Sequence, residues 1–212
     1  MYFRRCICES RYNGRNSSRA GNLNAPLEYV PRVPFLTLET VVSEHSDMMT
    51  RTAKFVLVAA VAVYCGVVVF NNVTDFNSNY AFVHHVLRMD STLPGNHGMW
   101  RAITSPQVHM LFYLSIIGWE AIAGLLLLVG ALRLFAARRA PIVAFDQAKR
   151  LAVAGLTLAL LMWLFAFLTV GGEWFLMWQS QQWNGQQAAF RMFTVVGIVL
   201  LLVNQPERET QP

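Results

Sequence analysis

Four long apolar stretches dominate the pattern of the chain, and polar segments separate them. The stretches cover residues 53–70, 108–132, 151–170 and 188–203. A helix rises about 1.5 Å per residue, so about 20 residues cross the ~30 Å hydrocarbon core of a bilayer. Lipid offers no partners to free backbone N–H and C=O groups, and each stretch is therefore expected to be helical. The pattern predicts an all-α, polytopic membrane protein built as a four-transmembrane-helix bundle.

The basic residues near these stretches predict the orientation of the bundle. The segment 71–107 carries two of them, and the segment 171–187 carries none. Eight basic residues lie on the other side, namely Arg51, Lys54, Arg133, Arg138, Arg139, Lys149, Arg150 and Arg208. Basic residues are concentrated on the cytoplasmic side of membrane proteins. Both termini are therefore expected in the cytoplasm (N-in/C-in), with 71–107 as the longer first periplasmic loop and a short helix near 81–89 within it.

The composition supports a membrane-embedded protein. Of the 212 residues, 55% are hydrophobic and 14% are charged, and the mean hydropathy is +0.38. A soluble domain carries about 25% charged residues. The net charge of +5 does not indicate nucleic-acid binding, because the basic residues flank apolar stretches instead of forming a patch interleaved with aromatic residues. The composition argues against a soluble enzyme with a polar surface, and it excludes intrinsic disorder over most of the chain.

The two ends of the chain are polar and differ from the middle. Residues 1–47 are rich in arginine and contain three prolines, without an apolar region of signal-peptide length. This segment is interpreted either as a flexible cytosolic tail or as an over-extended gene start, because Met48 and Met49 directly precede the first apolar stretch. The membrane domain is predicted over 48–205, and residues 206–212 are predicted to form a short cytosolic tail.

Glu120 and Arg191 are the charged residues within the second and fourth apolar stretches. The Glu120 carboxylate would lie about 11 Å inside the outer end of its helix, where an ionised group is costly unless it is paired, protonated or hydrated. Arg191 lies in the outer half of its helix, and its long side chain can reach inward. We expect the two side chains to interact directly or through water. The interaction is either a structural pair between helices or part of an ion relay or polar ligand pocket.

The predicted outer connections are rich in tryptophan, a residue that favours the membrane–water interface. Trp174, Trp178 and Gln181 recur at helical spacing and predict a short helix lying at the surface. We expect an aromatic periplasmic cap that forms a partner interface or ligand cleft, or alternatively a membrane-anchoring lid. Its predicted members are Trp100, Arg101, Glu173, Trp174, Trp178, Trp183 and Asn184.

Four histidines on the predicted outer side are weak candidates for metal binding, namely His84, His85, His97 and His109. Histidine and carboxylate groups are suitable metal ligands, but the sequence contains no tight ligand spacing here. Only His109 lies near a membrane stretch, which argues against two axial haem ligands at matched depth. Interfacial or capping roles are therefore favoured, and no cofactor is predicted.

Two groups of polar strings beside the apolar stretches carry a resemblance to a known family. The first group is FNNVTD at 70–75, FVHHVLRMD at 82–90 and WRAI at 100–103. The second group is GGEWFLMWQS at 171–180 and WNGQ at 183–186. With four helices around these strings, residues 49–205 resemble the bacterial small integral membrane proteins grouped as domain of unknown function 2165. The resemblance implies a four-helix inner-membrane protein without an established activity.

The sequence contains no recognisable nucleophile–base arrangement, phosphate-binding glycine loop or pair of catalytic carboxylates. It predicts a multi-pass protein of the bacterial inner (cytoplasmic) membrane, acting as an accessory or structural component whose aromatic periplasmic cap contacts a partner. Besides the lipid bilayer, the expected partner is another membrane protein or a second copy of the chain, and not nucleic acid. Two alternatives stay open: a small transporter or channel component that uses Glu120 and Arg191, and a membrane redox or metal-binding subunit.

Overall fold

The computed structural model describes the backbone of residues 38–207 and the side chains of residues 46–207. Most of the segment predicted as a tail, together with residues 208–212, lies outside the described residues. Throughout 38–207 the regular secondary structure is helical, with no strand. The first helix begins at Leu38, so the predicted boundary between residues 47 and 48 falls inside a continuous helix.

Five α-helices build the described chain, and they are α1 (Leu38–Thr74), α2 (Phe76–Arg88), α3 (Pro106–Ala137), α4 (Ile142–Leu161) and α5 (Gln186–Asn204). Helix α4 continues without a break as a π-helical segment, Met162–Trp174. One-turn 3-10 helices lie at Met99–Arg101 and Met177–Gln179. Four segments are long and apolar enough to cross a membrane, namely Ser46–Thr74, Pro106–Ala137, Ile142–Trp174 and Gln186–Asn204. The predicted all-α fold with four membrane helices is therefore confirmed.

Local sequence signals explain where α3 and α4 begin. Ser105 caps α3, because its hydroxyl oxygen accepts a hydrogen bond from the backbone N–H of Val108 at 3.5 Å. Pro106 occupies the first turn, where its missing N–H leaves no hydrogen bond unmade. Pro141 directly precedes α4 and disfavours a helical conformation at the residue before it. The turn at 138–140 is therefore short, and α3 and α4 pack side by side.

The inner faces of the membrane helices form one apolar core. A glycine brings two of these helices into close contact, since a Cβ atom on Gly130 of α3 would lie 2.6 Å from the backbone nitrogen of Ala152 in α4. Only hydrogen at this position allows the two backbones to approach so closely. The buried residues of the core include Val58, Leu127, Leu134, Phe145, Leu156 and Val203.

The outward faces of the same helices are also apolar. Each membrane helix carries large hydrophobic side chains that are more than half exposed, among them Val63, Leu125, Leu132, Phe165 and Leu201. A soluble monomer rarely exposes a continuous apolar surface of this extent. Helices that are apolar on both faces are typical of membrane spans, where lipid covers the outer face.

The two ends of the bundle differ chemically. At the end that we call the basic end, Arg51 Nη1 donates to the carbonyl oxygen of Ala140 at 2.7 Å, and Lys54 Nζ donates to that of Gln205 at 2.8 Å. The start of the first membrane segment, the α3–α4 turn and the end of α5 therefore meet there. The opposite end, which we call the aromatic end, contains α2 and the connections at 89–105 and 175–185.

Candidate functional site

Glu120 lies in α3 and faces the interior of the bundle, with only 6% of its surface exposed. Asn72 of α1 donates a hydrogen bond from Nδ2 to Oε2 of Glu120 at 3.0 Å. The Tyr113 hydroxyl donates to the backbone carbonyl oxygen of Asn72 at 2.7 Å. Tyr113 and Glu120 are seven residues apart and share one face of α3. Sequence reasoning missed Asn72 and Tyr113, although this spacing was a usable signal for the tyrosine.

Among the described residues, Glu120 and Arg191 form no direct hydrogen bond or ion pair. Arg191 is exposed, and its Nε donates to the carbonyl oxygen of Gln187 at 3.4 Å. Ala189 and Val196 mark the buried face of α5. Arg191 follows Ala189 by two residues, which is about 200° around the helix, so its side chain points away from the bundle. The position of Arg191 in the sequence predicts how deep it lies along α5. It does not predict which way its side chain points around the helix axis, and this direction separates it from Glu120.

Glu120 lines a cavity of about 270 Å³ in the aromatic half of the bundle, which we call the polar cavity. Other polar residues in its lining are Asn72, Asn79 and Tyr113, and its aromatic wall consists of Phe82, Trp163 and Phe167. A second cavity of about 190 Å³, the apolar cavity, adjoins it. The two cavities share the lining residues Phe82, Val83, Ile116 and Phe167.

The π-helical segment contributes walls to both cavities. Its hydrogen bonds span five residues, as in the bond from the N–H of Phe175 to the carbonyl oxygen of Val170 at 3.0 Å. Trp163 and Phe167 pack together on the polar cavity with ring centroids 5.0 Å apart. Phe165 and Val170 line the apolar cavity. Because π-helical turns occur frequently at functional sites, this segment supports a site at the cavities.

His84 of α2 and His109 of α3 form a histidine pair at the aromatic end. Their Nδ1 atoms lie 3.0 Å apart, and Nε2 of His109 lies 2.9 Å from the carbonyl oxygen of Ile103. A carbonyl only accepts, so neutral His109 carries its proton on Nε2 and accepts a hydrogen bond from His84 at Nδ1. Burial lowers the pKa of His84 below its ordinary value of 6.5, and His109 lowers it further.

The other two candidate histidines lie in different surroundings. Nδ1 of His85 lies 3.0 Å from each carboxylate oxygen of Asp90, and its ring stacks on Trp183 with centroids 4.5 Å apart. His97 is exposed. Among the side chains that the structure describes, no group of three or more His, Cys, Asp or Glu residues could hold a metal ion. The structure therefore does not gather the four candidates into one metal centre.

Trp100, Arg101 and Trp174 form a cluster at the aromatic end, which we call the aromatic patch. The two indole rings pack edge to face with centroids 5.9 Å apart. The guanidinium carbon of Arg101 lies 5.8 Å from the ring of Trp100 and 5.5 Å from that of Trp174, within the range of cation–π attraction. Trp100 is 76% exposed and Trp174 is 49% exposed. The structure thus brings together three of the predicted cap residues, two from the connection at 89–105 and one from the end of the π-helical segment.

The remaining predicted cap residues lie in other surroundings. Trp183 contacts His85, and Asn184 Oδ1 accepts a hydrogen bond from the N–H of Gln186 at 3.1 Å. Glu173 and Trp178 are exposed.

The surface helix predicted through Trp174, Trp178 and Gln181 is wrong. The π-helical segment ends at Trp174, and only the single 3-10 turn Met177–Gln179 follows it. Leu176 adopts a left-handed backbone conformation with φ 55°, which prevents a continuous right-handed helix. The helical spacing of the three residues therefore does not correspond to a shared helix.

Sequence reasoning also missed a buried charge cluster at the basic end. Oε1 of Glu207 accepts hydrogen bonds from Nζ of Lys54 and of Lys149, each at 2.6 Å, and Oε2 accepts one from Nε of Arg51 at 3.3 Å. Burial alone raises the pKa of Glu207, but the hydrogen bonds and charges of Lys149 and Lys54 lower it below its ordinary value of 4.5. In the sequence these cations indicate only the orientation of the bundle, and Glu207 falls in the predicted cytosolic tail 206–212. The available signal was an acidic residue four positions after the end of the last apolar stretch.

Residues 50–206 match the model of a protein family described as predicted small integral membrane protein (DUF2165). This match confirms the resemblance carried by the polar strings. It spans well over half of the chain and includes Glu120, the aromatic patch and the four candidate histidines. No curated protein and no solved structure matches the chain.

Proposed function

Because the chain belongs to the family of predicted small integral membrane proteins (DUF2165), we propose that it acts as an accessory component of the membrane. It is an integral membrane protein with four helices long and apolar enough to cross the bilayer. In the proposed role, the aromatic patch contacts an acidic segment of a partner membrane protein. The role requires no catalytic step.

The exposure and composition of the aromatic patch carry this proposal. Tryptophan and arginine are the residues most enriched at the energetic centres of protein interfaces. Arg101 is held in place, since its Nε donates to the carbonyl oxygen of Gly98 at 3.3 Å. Within residues 46–207 no carboxylate forms an ion pair with it. The remaining N–H groups of a guanidinium fit a carboxylate in a bidentate arrangement, so an acidic partner segment complements the patch.

We further propose that the protein resides in the inner membrane of a bacterium, with the aromatic end in the periplasm. The cations Arg51, Lys54 and Lys149 lie together at the basic end. Cytoplasmic ends of membrane helices carry an excess of lysine and arginine. This rule supports a cytoplasmic location for the basic end, and therefore for the start of the first membrane helix and the end of the last one, which meet there.

Photo-cross-linking in cells tests the partner contact. With a photoreactive amino acid in place of Trp174, we expect a discrete cross-linked product that contains a second protein. Arg101→Glu in the same chain is expected to reduce this product about tenfold, because a carboxylate repels an acidic partner. Arg191→Glu changes an exposed arginine outside the patch and is expected to leave the product unchanged.

Three outcomes of this experiment would contradict the proposal. The first is cross-linking to lipid alone, which would make the patch an interfacial anchor. The second is a product made of two copies of this chain, which would replace the proposed partner by a homo-oligomer. The third is a product whose yield Arg101→Glu does not change.

A further inference from the structure

We propose that the polar and apolar cavities together bind a lipophilic organic cation, such as an alkylammonium or arylammonium compound. Its charged nitrogen lies beside the Glu120 carboxylate in the polar cavity, and its hydrocarbon part occupies the apolar cavity. This site is separate from the aromatic patch, since none of the three patch residues lines either cavity.

Glu120 provides the charge that a cation requires. The residue is more than nine-tenths buried, and Asn72 donates to its Oε2. Over the described range, no lysine, arginine or histidine side chain forms an ion pair with Glu120. No residue in that range donates a hydrogen bond to its Oε1 atom. A carboxylate inside a membrane is costly unless it is paired, protonated or hydrated. A bound cation satisfies the first of these conditions and uses the free oxygen.

The aromatic wall of the polar cavity favours an organic cation over a metal ion. Phe82 and Phe167 lie with ring centroids 6.5 Å apart, and Trp163 adjoins Phe167. Aromatic faces attract ammonium groups, and aromatic enclosures are a common way to bind quaternary nitrogen. A calcium ion takes about six to eight oxygen ligands, whereas Glu120 supplies the only carboxylate in this lining.

The apolar cavity accounts for the hydrocarbon part of the proposed ligand. It is lined almost entirely by apolar side chains, and it adjoins the polar cavity along a shared wall. Together the two cavities reach the lower part of the range of about 300–1,000 Å³ typical of small-molecule sites. Phe112 and Phe165 line the apolar cavity and are also exposed on the outside of the bundle. A lipophilic ligand can therefore reach the cavity directly from the hydrocarbon of the bilayer.

Isothermal titration calorimetry of the full chain in lipid nanodiscs tests the site. The probe is benzyltrimethylammonium, and its control is dimethylbenzylcarbinol, an uncharged alcohol of nearly the same shape. We expect the cation to bind at least about tenfold more tightly than the alcohol, and Glu120→Gln to remove this preference. Glu173→Gln removes an exposed carboxylate from the aromatic half of the bundle, outside both cavities. It is expected to leave binding of the cation unchanged.

A second variant keeps the test decisive if Glu120→Gln fails to fold. Trp163→Leu preserves an apolar wall and removes the indole, so we expect it to weaken cation binding severalfold while binding of the alcohol changes little. Tetramethylammonium, which has no aromatic part for the apolar cavity, is expected to bind more weakly than benzyltrimethylammonium. Equal affinity for cation and alcohol, no binding of the cation, or unchanged cation affinity in a folded Glu120→Gln protein would each overturn the proposal.

Discussion

The buried carboxylate of Glu120 accepts one hydrogen bond from the side chains that the structure describes, and Asn72 is its donor. The substitution Asn72→Leu removes this donor and keeps a side chain of similar size. A buried polar group that loses its partner costs about 1–3 kcal/mol. We therefore expect Asn72→Leu to lower the free energy of unfolding by roughly this amount. Thermal unfolding in detergent micelles, followed by circular dichroism, measures the change.

The neighbouring Asn71 offers a matched control for this substitution. Its side chain is exposed, and Asn71→Leu is expected to change the free energy of unfolding by less than about 0.5 kcal/mol. In the double variant Asn72→Leu with Glu120→Gln, we expect a loss smaller than the sum of the two single losses, because both substitutions remove the same contact. If both asparagine variants were equally stable, the hydrogen bond to Glu120 would have no structural importance.

Glu207 links stability to pH at the basic end. Its pKa in the folded protein lies below 4.5, because the lysines that donate to it outweigh the effect of burial. A carboxyl group with a depressed folded pKa stabilises the protein above its unfolded pKa, and this contribution is lost as the pH falls through the folded pKa. Glu207→Gln leaves the buried cations without the negative charge that they share, and we expect it to lower the free energy of unfolding by about 3 kcal/mol at neutral pH.

Unfolding measured as a function of pH separates this effect from a general loss of packing. We expect the difference in stability between the unsubstituted protein and Glu207→Gln to decrease as the pH falls from 4.5 through the lower folded pKa, since the unfolded chain binds its proton before the folded carboxylate does. Glu173→Gln removes an exposed carboxylate and is expected to leave the pH dependence unchanged. A constant difference at every pH would show that the charge of Glu207 does not contribute.

At the scale of the helix, two of the three glycines of α3 lie in opposite environments. A Cβ atom on Gly130 would lie 2.6 Å from a backbone nitrogen of α4, whereas a Cβ atom on Gly118 would meet nothing within 4 Å. We expect Gly130→Ala to force the two helices apart and to lower the free energy of unfolding by about 1–3 kcal/mol. Gly118→Ala is expected to raise it by roughly 0.5–1 kcal/mol, because alanine has less freedom in the unfolded chain. Unfolding in mixed micelles with increasing dodecyl sulfate measures both values, and changes of the same sign would contradict the close packing of α3 on α4.

The four membrane helices could be predicted from length and hydropathy alone. A chain in lipid must satisfy its backbone within each crossing, so about 20 apolar residues allow only one conformation. The hydropathy pattern predicts the ends of these helices less accurately. The third membrane segment, Ile142–Trp174, extends beyond the apolar stretch 151–170 at both ends. Residues outside the hydrocarbon core continue a helix without being apolar, and hydropathy does not detect them.

The π-helical segment and the direction of Arg191 could not be predicted in this way. A shift from four-residue to five-residue hydrogen bonds leaves no mark in the hydrophobic pattern, because its advantage comes from packing with other helices. The position of Arg191 along α5 predicted its depth, whereas its direction depends on which face of α5 the bundle buries. The candidate site was therefore found through Glu120, and its partner came from α1 instead of α5.

At the scale of the whole molecule, the buried Glu207 ion pairs and the exposed tryptophans Trp100, Trp174 and Trp178 lie at opposite ends of the bundle. Glu207 connects the end of α5 with Lys54 of α1 and Lys149 of α4, so three membrane helices are tied together at the basic end. The cavities and the aromatic patch lie in the other half. A ligand or partner at that half therefore acts on a bundle whose opposite end is fixed by ion pairs.

This separation predicts which residues are reached from each side of the membrane. Trp178 at the aromatic end and Arg139 at the basic end are both exposed, and the proposed orientation places them in different compartments. In a chain with alanine in place of Cys6, Cys8 and Cys65, a charged maleimide that cannot cross lipid is expected to label Trp178→Cys in intact cells. Arg139→Cys is expected to react only after the inner membrane is permeabilised. Labelling of both positions from outside would contradict the arrangement of the helices across the bilayer, and a reversed pattern would retain that arrangement but overturn the N-in/C-in orientation.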